Sequence, residues 1–181
     1  MPLDLAYTLC FIVHDDHVLL MHRARAPHRD RWNGLGGKID PDETPREGIV
    51  REIHEEAGIT FPADAFAWRG MVTWNLWPRS EQEQGLHLFV TQLGAPLPGG
   101  HVFPETHEGA LRWQPIAWAD DLTNAAMADN VPFFLRRILT DETPIHVQCH
   151  YEDDTLHNVT FAVLDRRIVD PDVVRTDVKG R

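Results

Sequence analysis

The chain is short of cysteine: Cys10 and Cys149 are the only two in 181 residues. Two thiols cannot build a disulfide framework, and no Cys/His spacing in the sequence matches a zinc site. It is also short of positive charge, with 17 Lys and Arg against 28 Asp and Glu and a net charge of −11. That balance argues against binding DNA or RNA polymers, whose phosphates need a basic surface. It leaves open a small polyphosphate held through a cation. Long hydrophobic runs are missing too: none approaches the roughly 18 residues of a membrane span. The N-terminus carries Asp4 and no basic stretch, so no secretory signal is expected and the cytoplasm is the expected location. Internal repeats, low-complexity tracts and linkers are likewise lacking. Eleven histidines are many, but they are scattered, and most are expected at the surface.

What is present is enough apolar sequence, 43%, for a packed core. A single domain over residues 1–169 is expected, followed by a charged tail at 170–181. LAYTLCFIV (5–13) and VLLMHR (18–23) read as a strand pair turning at HDDH. A polar, then glycine-rich loop follows to residue 37, with a short extended piece at 32–35. Strands are predicted at 66–77, 86–93 and 110–116, a second helix at 131–139, and a closing hairpin over 144–164 that turns at EDD. These elements predict an α+β domain of the α/β/α kind, a mostly β framework with two helices packed on it.

The first helix has the clearest start signal. Thr44 can be the N-cap, Pro45 the first helical residue, and Glu47 completes a capping box. Gly58 marks its end. Ile49, Val50, Ile53 and Ala57 recur at helical spacing and can face a core. Glu52, Glu55 and Glu56 share another face, where like charges repel by a few tenths of a kcal/mol per exposed pair. A solvated acidic face balanced by Arg46 and Arg51 is one reading. The other is a hard divalent cation such as Mg²⁺, which takes oxygen ligands and joins carboxylates to substrate phosphates. Just upstream, Gly34, Gly36 and Gly37 allow a sharp turn and a close backbone approach, and Lys38 can meet a phosphate.

From Gly37 the sequence reads GKIDPDETPREGIVREIHEEAGI. Its Gly37, Glu43, Arg51-Glu52, Ile53, Glu55-Glu56, Gly58 and Ile59 resemble the Nudix box at every specified position, over residues 37–59. The order of elements is similar to the Nudix fold over most of the chain, a mixed sheet with a catalytic helix after a glycine loop and a second helix further on. The resemblance implies cleavage of a diphosphate linked to another moiety, using Mg²⁺ or Mn²⁺ and water. It implies Glu52, Glu55 and Glu56 as metal ligands, joined by the Gly37 carbonyl, and an ion pair of Arg51 with Glu43 that orients the helix. Glu108, two residues before the 110–116 strand, resembles the extra acid that several members place beside the metal; Glu105 is its rival.

RWNGLGGKI (31–39) is similar to the segment before the box in MutT-type enzymes that hydrolyse oxidised purine nucleoside triphosphates such as 8-oxo-dGTP. That likeness implies Asn33 as a nucleobase contact, and its amide suits a purine edge; a turn residue beside Gly34 is the alternative. Arg23, Gly36, Gly37 and Lys38 become substrate contacts. Asp129 resembles one member of an acidic pair that reads the base, but Asn130 stands where a second aspartate is expected, and Asp120-Asp121 competes. The implied activity is a nucleoside triphosphate diphosphatase that sanitises modified purine nucleotides. The alternatives are pyrophosphatases acting on ADP-ribose, nucleotide sugars or dinucleotide polyphosphates, and a Nudix domain that binds a nucleotide without cutting it. A small-molecule nucleotide is the expected partner in each case.

Overall fold

The computed structural model describes residues 4–75, 84–95, 97, 102–104, 106–165 and 171–173. The elements run β1 (Asp4–His14), β2 (His17–Arg23), β3 (Trp32–Asn33), α1 (Pro45–Ala57), a 3₁₀ turn (Ala63–Ala65), β4 (Ala67–Trp74), β5 (Gln84–Gln92), β6 (Gly109–Pro115), α2 (Ile116–Ala119), α3 (Val131–Thr140), β7 (Ile145–Glu152) and β8 (Thr155–Val163). The expected strands and helices are all there. The short α2 is an addition: it begins at Ile116, which sequence pattern assigned to the end of a strand. Trp77 and Glu105 lie outside the described residues.

The strands form one mixed sheet in the order β3-β2-β1-β5-β4-β7-β8, with β6 on the other side of β2. Two of its pairings, β1 with β5 and β4 with β7, are parallel and join strands distant in sequence. Strand side chains alternate between the two faces, and each face buries its own core. Leu9, Phe11 and Val13 of β1 pack with Val131, Phe134, Leu135 and Ile138 of α3. Cys10 and Ile12 pack with Ile49, Ile53 and Ala57 of α1. The result is an α/β/α sandwich, and the two cysteines are free and buried on opposite faces. One histidine departs from expectation: His87 on β5 is buried, with Nδ1 unpaired among the described residues.

The position of the glycine loop follows from β1 changing partner along its length. Residues 12–14 pair with β2. Residues 6–10 pair instead with the loop: Cys10 N–H donates to the Leu35 carbonyl (2.7 Å), Leu35 N–H to Cys10 (3.0 Å), Thr8 N–H to Gly37 (2.8 Å) and Ile39 N–H to Ala6 (2.9 Å). This close antiparallel approach leaves no room for a side chain at Gly34 or Gly36. A Cβ on Gly34 would stand 2.7 Å from the Cys10 carbonyl oxygen, and one on Gly36 2.4 Å from that of Thr8. Gly36 also holds a φ of 137°, which L side chains rarely adopt.

The start of the tail has a definite place. Pro171 is buried, its carbonyl accepts from Arg46 N–H at 3.1 Å, and Asp172 pairs with the Arg46 guanidinium at the start of α1. A cavity of about 680 Å³ beside this contact is lined by Arg46, Asp64, Trp68, Arg69 and Asp172 among others, and by no glutamate of α1.

Candidate active site

The helix that carries the glutamates is fixed at both ends. Thr44 Oγ1 accepts from Glu47 N–H (3.1 Å) while the Glu47 carboxylate accepts from Thr44 N–H (2.8 Å). Gly58 closes it in the left-handed conformation, φ 66°, and donates to the His54 carbonyl. With Ile49, Ile53 and Ala57 in the core, the rotation of α1 is set, and Glu52 and Glu56 turn toward the glycine loop.

Arg51 is the hub of the site. Its Nε and one terminal nitrogen grip Glu43 bidentately at 2.7 and 3.0 Å. The same end donates to the Lys38 carbonyl at 3.0 Å, and the other terminal nitrogen reaches Glu52 at 2.9 Å and Glu55 at 3.5 Å. Charge-assisted bidentate pairs are the strong class of hydrogen bond. Arg51 holds the Glu43 carboxyl below the usual range and is itself pushed up, first by Glu43. The expected ion pair is therefore present, and it also ties the loop at residues 38–43 to the helix.

Glu56 is 4% exposed. One carboxylate oxygen accepts from Gly36 N–H at 2.9 Å, and the other is buried with no partner among the described residues. Burial pushes its pKa up to about 8, helped by the charges of Glu52 and Glu108 and opposed by the Gly36 hydrogen bond and Arg23. Glu52 is also raised, first by burial, against the Arg51 hydrogen bond. Glu55 is mostly exposed and leans on Arg51. As the side chains stand, no three His, Cys, Asp or Glu among the described residues converge as a ready metal-ligand group. Arg51 draws Glu52 and Glu55 to itself, while Glu56 lies on Gly36.

Gly37 serves this site through what it lacks. A Cβ there would fall 2.6 Å from a Glu52 carboxylate oxygen. Its carbonyl accepts from Thr8, through N–H at 2.8 Å and Oγ1 at 3.4 Å. Glu108 comes from the turn before β6, where its carbonyl accepts from Ala24 N–H at 2.7 Å, and its carboxylate is near enough to raise both Glu52 and Glu56. Lys38 is exposed at the rim.

The predicted base contacts come together through a pairing that sequence does not reveal. Trp32 and Met127 form a parallel bridge, with Trp32 N–H bonded to Ala126 and Ala128 N–H to Trp32, which sets the chain segment of Asn33 beside the one that leads to Asp129. Asn33 Oδ1 accepts from Gly34 N–H at 2.8 Å, the turn role, and its Nδ2 has no partner among the described residues. Asp129 accepts from the Tyr151 hydroxyl at 2.9 Å and faces Arg31 at 3.8 Å. Tyr151 and Arg31 escaped the sequence reading, since nothing local in β7 announces a partner 22 residues away. The competing acids are spent elsewhere: Asp120 pairs with Arg136, and Asp121 caps its own turn through Thr123. Asn130 turns its amide to the Cys149 sulfur at 3.8 Å. Arg23 donates from Nε to the Pro27 carbonyl at 2.9 Å, and its charge is felt at Glu56 and at His28.

This arrangement of a capped glutamate helix against a glycine loop agrees with sequence comparison, in which the NUDIX domain model matches residues 5–135. The chain belongs to the Nudix family. The box glutamates and Arg51 lie within the matched residues. The oxidized purine nucleoside triphosphate hydrolase of Mus musculus is 41% identical over 54 residues, which span 30% of this chain and 35% of that protein. The uncharacterized Nudix hydrolase YvcI of Bacillus subtilis (strain 168) is 30% identical over 126 residues, 67% of this chain and 70% of its own. Among solved structures, the MutT protein of Bacillus halodurans aligns with a TM-score of 0.67 at 24% identity, covering 86% of this chain and 95% of that one. That likeness is one of fold. Nudix hydrolases use divalent metals, and no helix among the described residues is long and apolar enough to cross a membrane.

Proposed function

We propose that this Nudix protein is a single catalytic domain that hydrolyses nucleoside triphosphates to a nucleoside monophosphate and pyrophosphate. Its cation is Mg²⁺, with Mn²⁺ as the other fitting ion, and its substrates are modified purine nucleotides of the 8-oxo-dGTP kind, removed from the cytoplasmic pool. One observation carries this reading. The carboxylates Glu52, Glu56 and Glu108 lie near enough to feel one another, with Arg23 within reach of Glu56, and the segments that carry Asn33 and Asp129 are paired side by side. That set of groups suits a nucleotide with its phosphates at the carboxylates and its base at the Asn33 amide.

The residues fit a divalent ion. Glu56 keeps a buried carboxylate oxygen without a partner, its charge is disfavoured by burial, and the absent side chain of Gly37 leaves the Glu52 carboxylate its space. Glu52, Glu55 and Glu56 would hold the ion, after Glu52 and Glu55 let go of Arg51. A bound cation supplies charge for the phosphate oxygens and lowers the pKa of a water. The chain's own groups do the rest. Arg51, gripped by Glu43, fixes where the glutamates start from. One carboxylate of the group formed by Glu52, Glu55, Glu56 and Glu108 accepts the proton of the attacking water, while Arg23 and Lys38 offset phosphate charge. Asn33 presents its free Nδ2 to the base, and Asp129, fixed by Tyr151, accepts a hydrogen bond from it.

A panel of unmodified and oxidised purine triphosphates, ADP-ribose, nucleotide sugars and dinucleotide polyphosphates, each with Mg²⁺, tests the reading. Chromatography should find monophosphate and pyrophosphate, fastest from an oxidised purine. Release of single phosphate from a triphosphate, or turnover confined to a nucleotide conjugate, would replace it.

A further inference from the structure

The most basic stretch of this acidic chain is not in the box. RARAPHRDR, residues 23–31, holds Arg23, Arg25, Arg29 and Arg31 against the single Asp30, a net +3 with histidine neutral, in a chain of net −11. The loop is closed by its own backbone. Arg23 N–H donates to the Arg31 carbonyl (2.9 Å), Asp30 N–H to that of Arg23 (2.8 Å) and Arg31 N–H to that of His28 (3.0 Å). A further bond, Ala24 N–H to the Glu108 carbonyl at 2.7 Å, pins the loop to the turn that carries Glu108. The closure places Arg23 beside Arg31 and confines four guanidinium groups to one small hairpin.

That crowding is poorly relieved inside the protein. Arg29 approaches Asp30 only at 4.0 Å, with 73% of its side chain exposed, and Arg31 approaches Asp129 at 3.8 Å. Arg25 is exposed and has no hydrogen-bond or ion-pair partner among the described residues. His28 and Asp30 turn the loop in the left-handed backbone region, φ 60° and 61°, which Asp and His adopt more readily than most side chains. A closed hairpin that carries net positive charge in an acidic chain attracts anions. Its Ala24 edge is bonded to the Glu108 turn, beside the carboxylates, so the phosphates of a nucleotide held as above lie next to that edge and to Arg25.

We propose that residues 23–31 form a polyphosphate subsite that selects by phosphate-chain length, with Arg25 and Arg29 binding the phosphates at the far end and favouring nucleotides with three or more phosphates in line over diphosphates. This rests on the hydrolase reading above and adds to it the feature of substrate that the loop recognises. Guanidinium groups suit this task, because each offers phosphate a planar fork of donors.

Arg25→Ala and Arg29→Ala, singly and together, test it; neither residue touches a box glutamate, Asn33 or Asp129. kcat/KM is measured with Mg²⁺ for a nucleoside triphosphate and the matching diphosphate. In parallel, inorganic tripolyphosphate and pyrophosphate are titrated calorimetrically into parent and variants. The double variant should lose about tenfold or more on the triphosphate, the worth of one charge-assisted contact, and under about twofold on the diphosphate. Tripolyphosphate binding should weaken by a similar factor, at unchanged melting temperature. Equal losses on both nucleotides, or none, would overturn the chain-length role. If no nucleotide is hydrolysed even by the parent, the hydrolase reading fails by itself. The subsite then stands only if the parent binds tripolyphosphate more tightly than the double variant, and falls if both bind alike.

Discussion

Glu56 carries its carboxyl where an isolated negative charge is unfavourable, and two predictions follow from that one side chain. With burial raising it to about 8 from an ordinary 4.5, the metal-free folded protein binds a proton that the unfolded chain has released between those values. Stability without metal should therefore fall as pH rises from about 4.5 through 8, by up to about 1.4 kcal/mol per pH unit from this group. Glu52, raised in the same direction, adds to the slope. Melting curves across that range in the presence of a chelator check it, and Glu56→Gln should flatten the decline. The same substitution removes a charged ligand and should lower turnover by about a hundredfold or more with the fold intact. Equal turnover of parent and variant would remove Glu56 from the metal site. The box residues were legible because their spacing is local. Tyr151 and Arg31 were not, since their meeting at Asp129 depends on how β7 and the segment after α2 come together.

The glycine loop and α1 act as one element, and two neighbouring glycines separate its structural from its chemical duty. Gly36→Ala would drive a Cβ to 2.4 Å from the rigid Thr8 carbonyl at a φ of 137°. It should destabilise the protein by about 1–3 kcal/mol, the usual range for such strain. Gly37→Ala meets instead the mobile end of Glu52 at 2.6 Å. Its melting temperature should stay near the parent's while kcat/KM falls, by about a hundredfold if the carboxylate is displaced by an ångström. Thermal scans and kinetics on the pair test the division, and the reverse pattern would refute it. Capping, period and turn residues made α1 and most strands readable to within a few residues. The four-residue α2 carries too little pattern to be read, and the parallel pairs β1–β5 and β4–β7 join segments that no local signal connects.

Across the whole molecule the sheet separates two cores, and its burial carries one histidine, His87, with it. It is buried on β5 near Trp68, with burial lowering its pKa from 6.5 to about 4. The unfolded chain takes up a proton there that the folded one refuses. This group's contribution to stability is thus complete above pH 6.5 and is lost as pH falls from 6.5 toward 4. His87→Gln should make the variant's stability less sensitive to pH in that window, as denaturant titrations at pH 7 and pH 5 would record; an unchanged difference would place the acid sensitivity elsewhere. The forked pairing of β1 has a consequence of another kind. Its alternate amides are held by different parts of the protein: Thr8 and Cys10 donate to the glycine loop, while Leu9 and Phe11 face β5. Hydrogen exchange along this one strand therefore separates two motions. Slowed exchange at Thr8 and Cys10 on adding cation and nucleotide would measure how firmly the loop closes, and Leu9 and Phe11 would serve as the internal reference for the sheet.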